Sequence, residues 1–334
     1  MTVLISPLSI APMIDWSNTY FRQLMRILCS DVLLYTEMQT TGAIEYQPGK
    51  SLQYHDSEHP IAIQLGGADS KALAKCAIKA EQLGYDEINL NVGCPSDRVL
   101  SGQFGACLMA KPSIVAEAIK AIKKSVSIPV TVKTRIGIDQ NDSYEFLNDF
   151  IVEQIEAGVD KVIVHARKAW LNGLSPKENR TIPLINYDYV YRLKQDYPHL
   201  PIVINGDIKT IEAIYQHLQQ VDGVMLGRVA CDNPYLIHQF GRQLFSHQKP
   251  LSRVEAFIRY LPIIEEGIRQ GVPLSITFKP IMNLCHGMPG AKLWKKQLTH
   301  RIQTKTMTGL GELEQTILQL EQQDHGKMIQ YLVH

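Results

Sequence analysis

The chain has 334 residues, 34 Lys and Arg against 33 Asp and Glu, and a formal charge of +1, with 45% of residues hydrophobic and 20% charged. That composition excludes disordered, collagen-like and low-complexity chains, and no apolar run approaches the ~18 residues a membrane-spanning helix needs. Six cysteines without a C-x-x-C pair argue against a zinc ribbon or a disulfide scaffold and suit reduced thiols in a cytoplasmic compartment, with no metal implied. A near-zero total says nothing about how charge is distributed, so a nucleic-acid partner stays open.

From the N-terminus, Met1–Ile14 is apolar but interrupted by Pro7 and Pro12 and lacks a basic start, so it reads as a strand and not a leader. β-rich runs follow in order at Leu8–Met13, Val32–Met38, Ile61–Gly67, Glu87–Val92, Val130–Ile136, Lys161–Arg167, Ile202–Gly206 and Gly223–Arg228. Several are apolar at consecutive positions, as strands buried on both faces are. Helical stripes separate them, over Ser70–Leu83, Ile114–Val126 and Tyr144–Ala157, the last opened by an expected capping box of Asp142 and Glu145. Eight alternations predict an α/β fold, a TIM (β/α)8 barrel. A doubly wound sheet is the alternative, opposed by the strand count and by the lack of G-x-G-x-x-G after the first strand.

From Leu251 the alternation stops. Ser252 with Glu255 starts a helix, and further helical stretches near Ile276–Cys285, Ala291–Lys305 and Leu313–Gln323 are set off by Pro273, Gly287, Pro289, Gly290 and Gly309. The expected domains are a catalytic barrel over 1–248 and a small four-helix domain over 249–334.

Chemistry in a barrel sits at the C-terminal ends of its strands. Those ends carry Ala11-Pro12-Met13, Glu37-Met38, Gln64 to Gly67, Asn89 to Pro95, Lys133-Thr134-Arg135, His165-Ala166-Arg167, Asn205-Gly206-Asp207 and Gly227-Arg228. Loops seven and eight commonly bind phosphate, and Gly206 and Gly227 fall there, although each alone would suit a plain tight turn. Lys133, in a buried strand, reads as a Schiff-base amine, as a cation for an anionic ring or phosphate, or as a lysine snorkelling to the rim. His165 is equally a buried, bonded histidine or a ligand contact. Asn89 and Asn91 share a strand face and could read a ring edge. Cys94, in a Gly-Cys-Pro turn after strand four, is a proton donor, a nucleophile or a small buried hydrophobe. Of the other cysteines only Cys107, in the loop after the same strand, draws notice.

The string Asn-Leu-Asn-Val-Gly-Cys-Pro-Ser from Asn89, with Gly-Gln-Phe-Gly-Ala-Cys-Leu-Met ending near Cys107, resembles the signature of tRNA-dihydrouridine synthases. The other strand ends fit that family in the same order, and His165–Arg180 is similar to its A-type subgroup. The resemblance implies an FMN-containing barrel with a helical tRNA-binding domain, reducing uridines 20 and 20a of the D loop. NADPH would reduce the flavin, whose N5 hydride goes to uracil C6 while Cys94 protonates C5. It further implies that Pro12, Met13, Ile14, Gln64, Lys133 and His165 contact FMN, and that Asn205, Gly206, Asp207, Gly227 and Arg228 hold its phosphate. Asn91 would face the uracil, and Lys177, Arg180, Lys292 and Lys295 would contact tRNA. The last two stand where the subgroup suggests arginines, keeping charge without the bidentate fork. A monomer fits the resemblance.

Charge distribution agrees with such a partner. Gly267–Leu310 holds no Asp or Glu but Arg269, Lys279, Lys292, Lys295, Lys296, Arg301 and Lys305, and Arg167, Lys168, Lys177 and Arg180 face only Glu178 in a second basic stretch. The rivals are an FMN barrel acting on a free small molecule, such as a dihydroorotate dehydrogenase, a Schiff-base aldolase using Lys133, and a noncatalytic RNA-binding protein.

Overall fold

Consecutive apolar residues make strands that cannot face water on either side, and here they close on one another. In a computed structural model, which describes residues 5–96, 99, 101–306 and 310–332, eight strands form a closed, all-parallel barrel. They are β1 (Leu8–Ile10), β2 (Leu33–Thr40), β3 (Ile61–Gly66), β4 (Glu87–Val92), β5 (Val130–Arg135), β6 (Lys161–His165), β7 (Ile202–Asn205) and β8 (Gly223–Leu226). β8 pairs with β1 to complete the ring. Helices Ser70–Gln82, Pro112–Lys123, Tyr144–Glu156, Asp188–Asp196 and Ile211–Leu218 connect the later strands. Each buries one stripe, such as Leu73, Cys76, Ala77 and Ala80.

Period-2 alternation puts one side chain of every two inside the barrel. Ala11, Leu33, Tyr35, Ala62, Ile163, Val203 and Met225 fill it with apolar bulk, and Met13 packs against them. Six of the eight strands end before their β-rich runs do, while β4 matches its run and β2 continues to Thr40. β1 stops at Ile10, β6 at His165 and β8 at Leu226, so Pro12, Met13, Ala166, Arg167 and Gly227 lie in loops. Proline has no N–H for the ladder, and the last pairing from β1 toward β8 is Ala11 N to Leu226 O at 2.8 Å.

The chain packs as two compact units, Met1–Asp15 with Leu33–Gly227 and Trp16–Val32 with Arg228–His334. The strand–helix alternation stops near 248–251, whereas packing changes hands at Gly227 and recruits the segment after β1. In the second unit, helix Thr19–Leu28 packs on helix Arg253–Arg269. Gly267 permits that approach, since a Cβ there would stand 2.8 Å from the Tyr20 hydroxyl. The Ser252–Glu255 capping box forms as expected. The box expected at Asp142 does not. Ser143 caps that helix by accepting from Phe146 N at 3.2 Å, and Asp142 pairs with Lys168 at 2.6 Å instead. The stretch Ile276–Cys285 gives one-turn pieces, Leu274–Thr277 and Lys279–Ile281, not a full helix, because Pro280 cannot continue an i to i−4 ladder. Helices Ala291–Thr304 and Leu310–Leu332 complete the unit. Met1–Leu4 and Gly309 lie outside the described residues. Among the described residues no helix is long and apolar enough to cross a membrane.

Candidate active site

The inward file of β4 is polar. Glu87, Asn89 and Asn91 alternate with Ile88 and Leu90, so all three point into the barrel. At the base, Glu87 Oε2 meets Lys161 Nζ at 2.6 Å, with 0% and 1% of these side chains exposed. Glu87 Oε1 accepts from the Tyr35 hydroxyl at 2.8 Å and from Thr131 at 2.6 Å. Burial and this carboxylate push the Tyr35 hydroxyl well above its ordinary range. Above Thr131 the contacts continue through Asn89, Gln64 and Asn91, each joined to the next at 2.8 Å.

Asn91 Oδ1 then accepts from Gly93 N at 3.2 Å and Cys94 N at 3.0 Å. The Cys94 loop is held from other sides too. Ala106 N donates to Cys94 O at 3.0 Å. Gly105, at φ +75°, leaves room for that carbonyl, which a Cβ would approach to 2.6 Å. Arg135 Nε donates to Gly93 O at 2.9 Å. The Cys94 thiol itself is half-buried and lies 3.4 Å from Ser96 Oγ. Cys107 is turned to Phe104 O at 3.2 Å, and burial raises its thiol.

Lys133 follows on β5, directly across from Asn91 in the ladder. Its ammonium donates to Asn205 Oδ1 at 3.1 Å, and Asn205 Nδ2 donates to Met225 O at 2.7 Å. Burial first, and Arg135 second, bring the Lys133 amine down to about 7, partly opposed by Cys94. Arg135 and His165 pair in register, as do His165 and Asn205. Gln64, Asn91, Lys133, His165 and Asn205 thus all face the barrel interior toward the strand ends, Gln64 in register with Asn89, Lys133 with Asn91 and Asn205 with His165.

After β7 the chain turns through Gly206 at φ +130° and Asp207 at φ +54°. Tyr187 donates to Gly206 O at 2.7 Å. The Asp207 carboxylate is engaged by Lys209 at 2.7 Å and Arg167 at 3.6 Å. Around Gly227 a Cβ would meet no heavy atom within 4 Å. Arg228 begins the second unit, just before the short helix Val229–Asp232. Pro12 is half-buried and Ile14 is 52% exposed. Lys177 and Arg180 are exposed on either side of buried Asn179. Lys292 and Lys295 are exposed on helix Ala291–Thr304 of the second unit.

Sequence reasoning missed Glu87, Lys161, Thr131 and Tyr35 at the foot of this hydrogen-bond column, and Asn179. The signal was present in Glu87–Asn91 as alternate polar residues and in Lys161 as a charge opening a buried strand. What it lacked was the partners, which come from other strands.

A thiol, a low-pKa amine and a file of amides gathered at the C-terminal ends of a closed parallel barrel define an enzyme of the (β/α)8 class. The family model described as "Dihydrouridine synthase (Dus)" matches residues 9–322, and the chain belongs to that family. It is 48% identical over 321 residues to the tRNA-dihydrouridine(20/20a) synthase of Vibrio cholerae, covering 96% of this chain and 98% of that one. Over 292 residues it is 52% identical to the protein of that name from Shewanella oneidensis, covering 87% of each. With the one from Escherichia coli it shares 52% over 293 residues, 87% of this chain and 85% of the other. Among solved structures, morphinone reductase superposes with a TM-score of 0.52 at 11% identity over 71% of this chain and 86% of its own, a likeness of fold.

Proposed function

We propose that the chain reduces uridines of tRNA to 5,6-dihydrouridine, at positions 20 and 20a of the D loop, with Cys94 protonating C5. The observation that carries this reading is the Cys94 loop, fixed by Asn91, Ala106 and Arg135 at the mouth, with Asn91 directly across the ladder from Lys133. The printed names of the relatives give the same reaction and positions for those proteins.

The residues present fit FMN. Lys133 is a cation bonded to one side-chain amide oxygen, with donors left for an anionic ring. Gly206 and Gly227 open the two loops where barrels take phosphate, and the ground around Gly227 is clear. Gln64, His165, Pro12, Met13 and Ile14 would contact the ring, and Asn205, Gly206, Asp207, Gly227 and Arg228 the phosphate. When bound, and reduced by NADPH, the flavin supplies the hydride equivalent that adds at uracil C6. The chain's own part is to hold Lys133 charged beside the anion, to keep Asn91 and Cys94 at the uracil face, and to deliver the thiol proton to C5. The base must leave its stack to reach a barrel mouth. Residues 1–248 would carry the catalysis. Residues 249–334, with Lys292 and Lys295, would grip the tRNA backbone together with Lys177 and Arg180 of the first unit.

Cys94→Ala tests the assignment. That variant is expected to purify yellow, to oxidise NADPH and to form no dihydrouridine in D-loop nucleosides measured by mass. Full modification by Cys94→Ala would reject the proton-donor role, and a colourless parent protein would reject the flavin. An amine near 7 also suits a Schiff base. Borohydride reduction with carbonyl compounds that left a stable adduct on Lys133 would favour that second reading.

A further inference from the structure

The column beneath Cys94 has a direction, and its base dictates it. A carboxylate only accepts and an ammonium only donates. Glu87 therefore accepts hydrogen bonds from Lys161, Tyr35 and Thr131. Thr131 has a single hydroxyl proton, spent on Glu87 at 2.6 Å, so toward Asn89 it can only accept. Asn89 must turn its Nδ2 to Thr131 and its Oδ1 to Gln64. Gln64 must then turn its Nε2 to Asn89 and its Oε1 to Asn91. Asn91 must spend its Nδ2 on Gln64, which leaves Oδ1 for the chain above. The other end demands the same polarity, because Gly93 and Cys94 offer backbone N–H groups and need an oxygen. Three amides thus transmit one orientation from the buried pair to the loop. If any amide flipped, donor would face donor on one side and acceptor would face acceptor on the other.

We propose that the buried Glu87–Lys161 pair sets the direction of this hydrogen-bond column, and that Thr131 is thereby a positioning residue for Cys94. Glu87 and Lys161 are 0% and 1% exposed, Thr131 and Asn89 are 0% and Gln64 is 1%. No solvent reaches these atoms to substitute for a wrongly turned partner, so a broken link is felt along the file. The pair earns its place through specificity of geometry, a role attested for some buried polar groups, more than through stability, since an ion pair out of water gains little net energy. The catalytic part of the proposal rests on the role proposed above for Cys94. The positional part does not.

The test compares Thr131→Val, which keeps shape and removes the link, with Thr131→Ser, which restores it, and with Asn91→Ala as the terminal break. Hydrogen exchange at the Gly93 and Cys94 amides is read without tRNA. Thr131→Val and Asn91→Ala are expected to speed that exchange by about tenfold, the effect of losing roughly one hydrogen bond. Thr131→Ser is expected to stay at the parent rate. Unchanged exchange in Thr131→Val would overturn the column. So would an equal loss of protection at the β7 amides, Ile202–Asn205, which would make Thr131 a general fold residue. In the unaltered chain, side-chain amide hydrogens of Asn89, Gln64 or Asn91 that exchanged as fast as an exposed asparagine's would overturn it without any variant. In single-turnover reduction of tRNA, Thr131→Val is expected to slow dihydrouridine formation by about tenfold while NADPH-driven flavin reduction keeps its rate, with Thr131→Ser restoring the dihydrouridine rate. Equal dihydrouridine rates in Thr131→Val and parent would remove the catalytic role. A parent chain that made no dihydrouridine would reject the proposed reaction, and the exchange pattern would still decide the column.

Discussion

Lys133 is the residue whose protonation decides most. Burial holds its amine at about 7 in the folded chain, against an ordinary 10.5. Below pH 7 the folded chain keeps the charge and bears its full desolvation cost. Between about 7 and 10.5 the unfolded chain binds more protons than the folded one, so the cost recedes and stability gains as pH rises through that window. Lys133→Met is therefore expected to raise the Tm most below pH 7 and to lose the gain near pH 10, as thermal unfolding across pH would show. An anion seated on the amine reverses the preference and pulls its pKa up. At pH 8, FMN binding to the flavin-free chain is expected to take up a proton, seen as a binding heat that varies with the buffer's ionisation enthalpy, and Lys133→Met is expected to take up none. A charge inside a β-rich run made Lys133 visible in the sequence. Its pKa was not visible, because that depends on Arg135, Cys94 and the depth of the strand end.

Among the elements, the loop after β6 carries the less obvious design. Asn179 is buried and spends its whole amide on the loop itself, accepting from Trp170 N at 2.8 Å and donating to Trp170 O at 2.9 Å and Leu174 O at 3.1 Å. Arg135, at the end of β5, donates to Asn179 O at 2.9 Å and Lys168 O at 3.1 Å as well as to Gly93 O. One guanidinium therefore clamps the Cys94 loop to the loop that displays Lys177 and Arg180, and burial brings it down to about 10, still charged at neutral pH. Arg135→Lys keeps a charge but has no fork to reach three carbonyls. It is expected to cost about 1–3 kcal/mol of stability, the range for stranding buried acceptors, in chemical denaturation. Asn179→Ala is expected to open residues 166–185 to limited proteolysis and to raise the KM for tRNA more than it lowers kcat. Unchanged proteolysis would mean that Asn179 does not hold the loop. The strands were legible because their apolar runs match burial on both faces. The clamp was not, since Arg135 reaches partners 42 and 44 residues away that no local pattern indicates. The cap at Asp142 failed for a related reason: Ser143 offers the same chemistry one residue later, and Lys168 takes the carboxylate.

Across the whole molecule, a formal charge of +1 conceals a segment without acids, Gly267–Leu310. Its seven cations are not equivalent once folded. Arg301 is buried against Glu312 at 2.7 Å, Arg269 pairs with Glu266 at 2.5 Å, and Lys279 sits 4.7 Å above the Trp16 ring. Lys168 and Arg167 of the other basic stretch are similarly occupied by Asp142 and Asp207. What composition counted as a broad basic field reduces, in the second unit, to Lys292, Lys295, Lys296 and Lys305, which are exposed and make no ion pair among the described residues. The first three sit at i, i+3 and i+4 of helix Ala291–Thr304, one face. Trp294, Leu298 and Arg301 bury the opposite one. Helical spacing made that face readable, whereas the loss of Arg269, Lys279 and Arg301 to internal partners was not. Each lysine on a phosphate releases counterions, so the affinity for tRNA should fall with salt in proportion to the contacts made. Lys292→Ala with Lys295→Ala is expected to lower the slope of log affinity against log salt by about 1.4–1.8, two contacts' worth. Arg301→Ala, removing a buried guanidinium bonded to the exposed Glu312, is expected to lower the Tm and leave the slope of the folded fraction unchanged. A double variant with the parent's slope would show that this face makes no phosphate contact, and would move tRNA binding to Lys177, Arg180 and the barrel mouth.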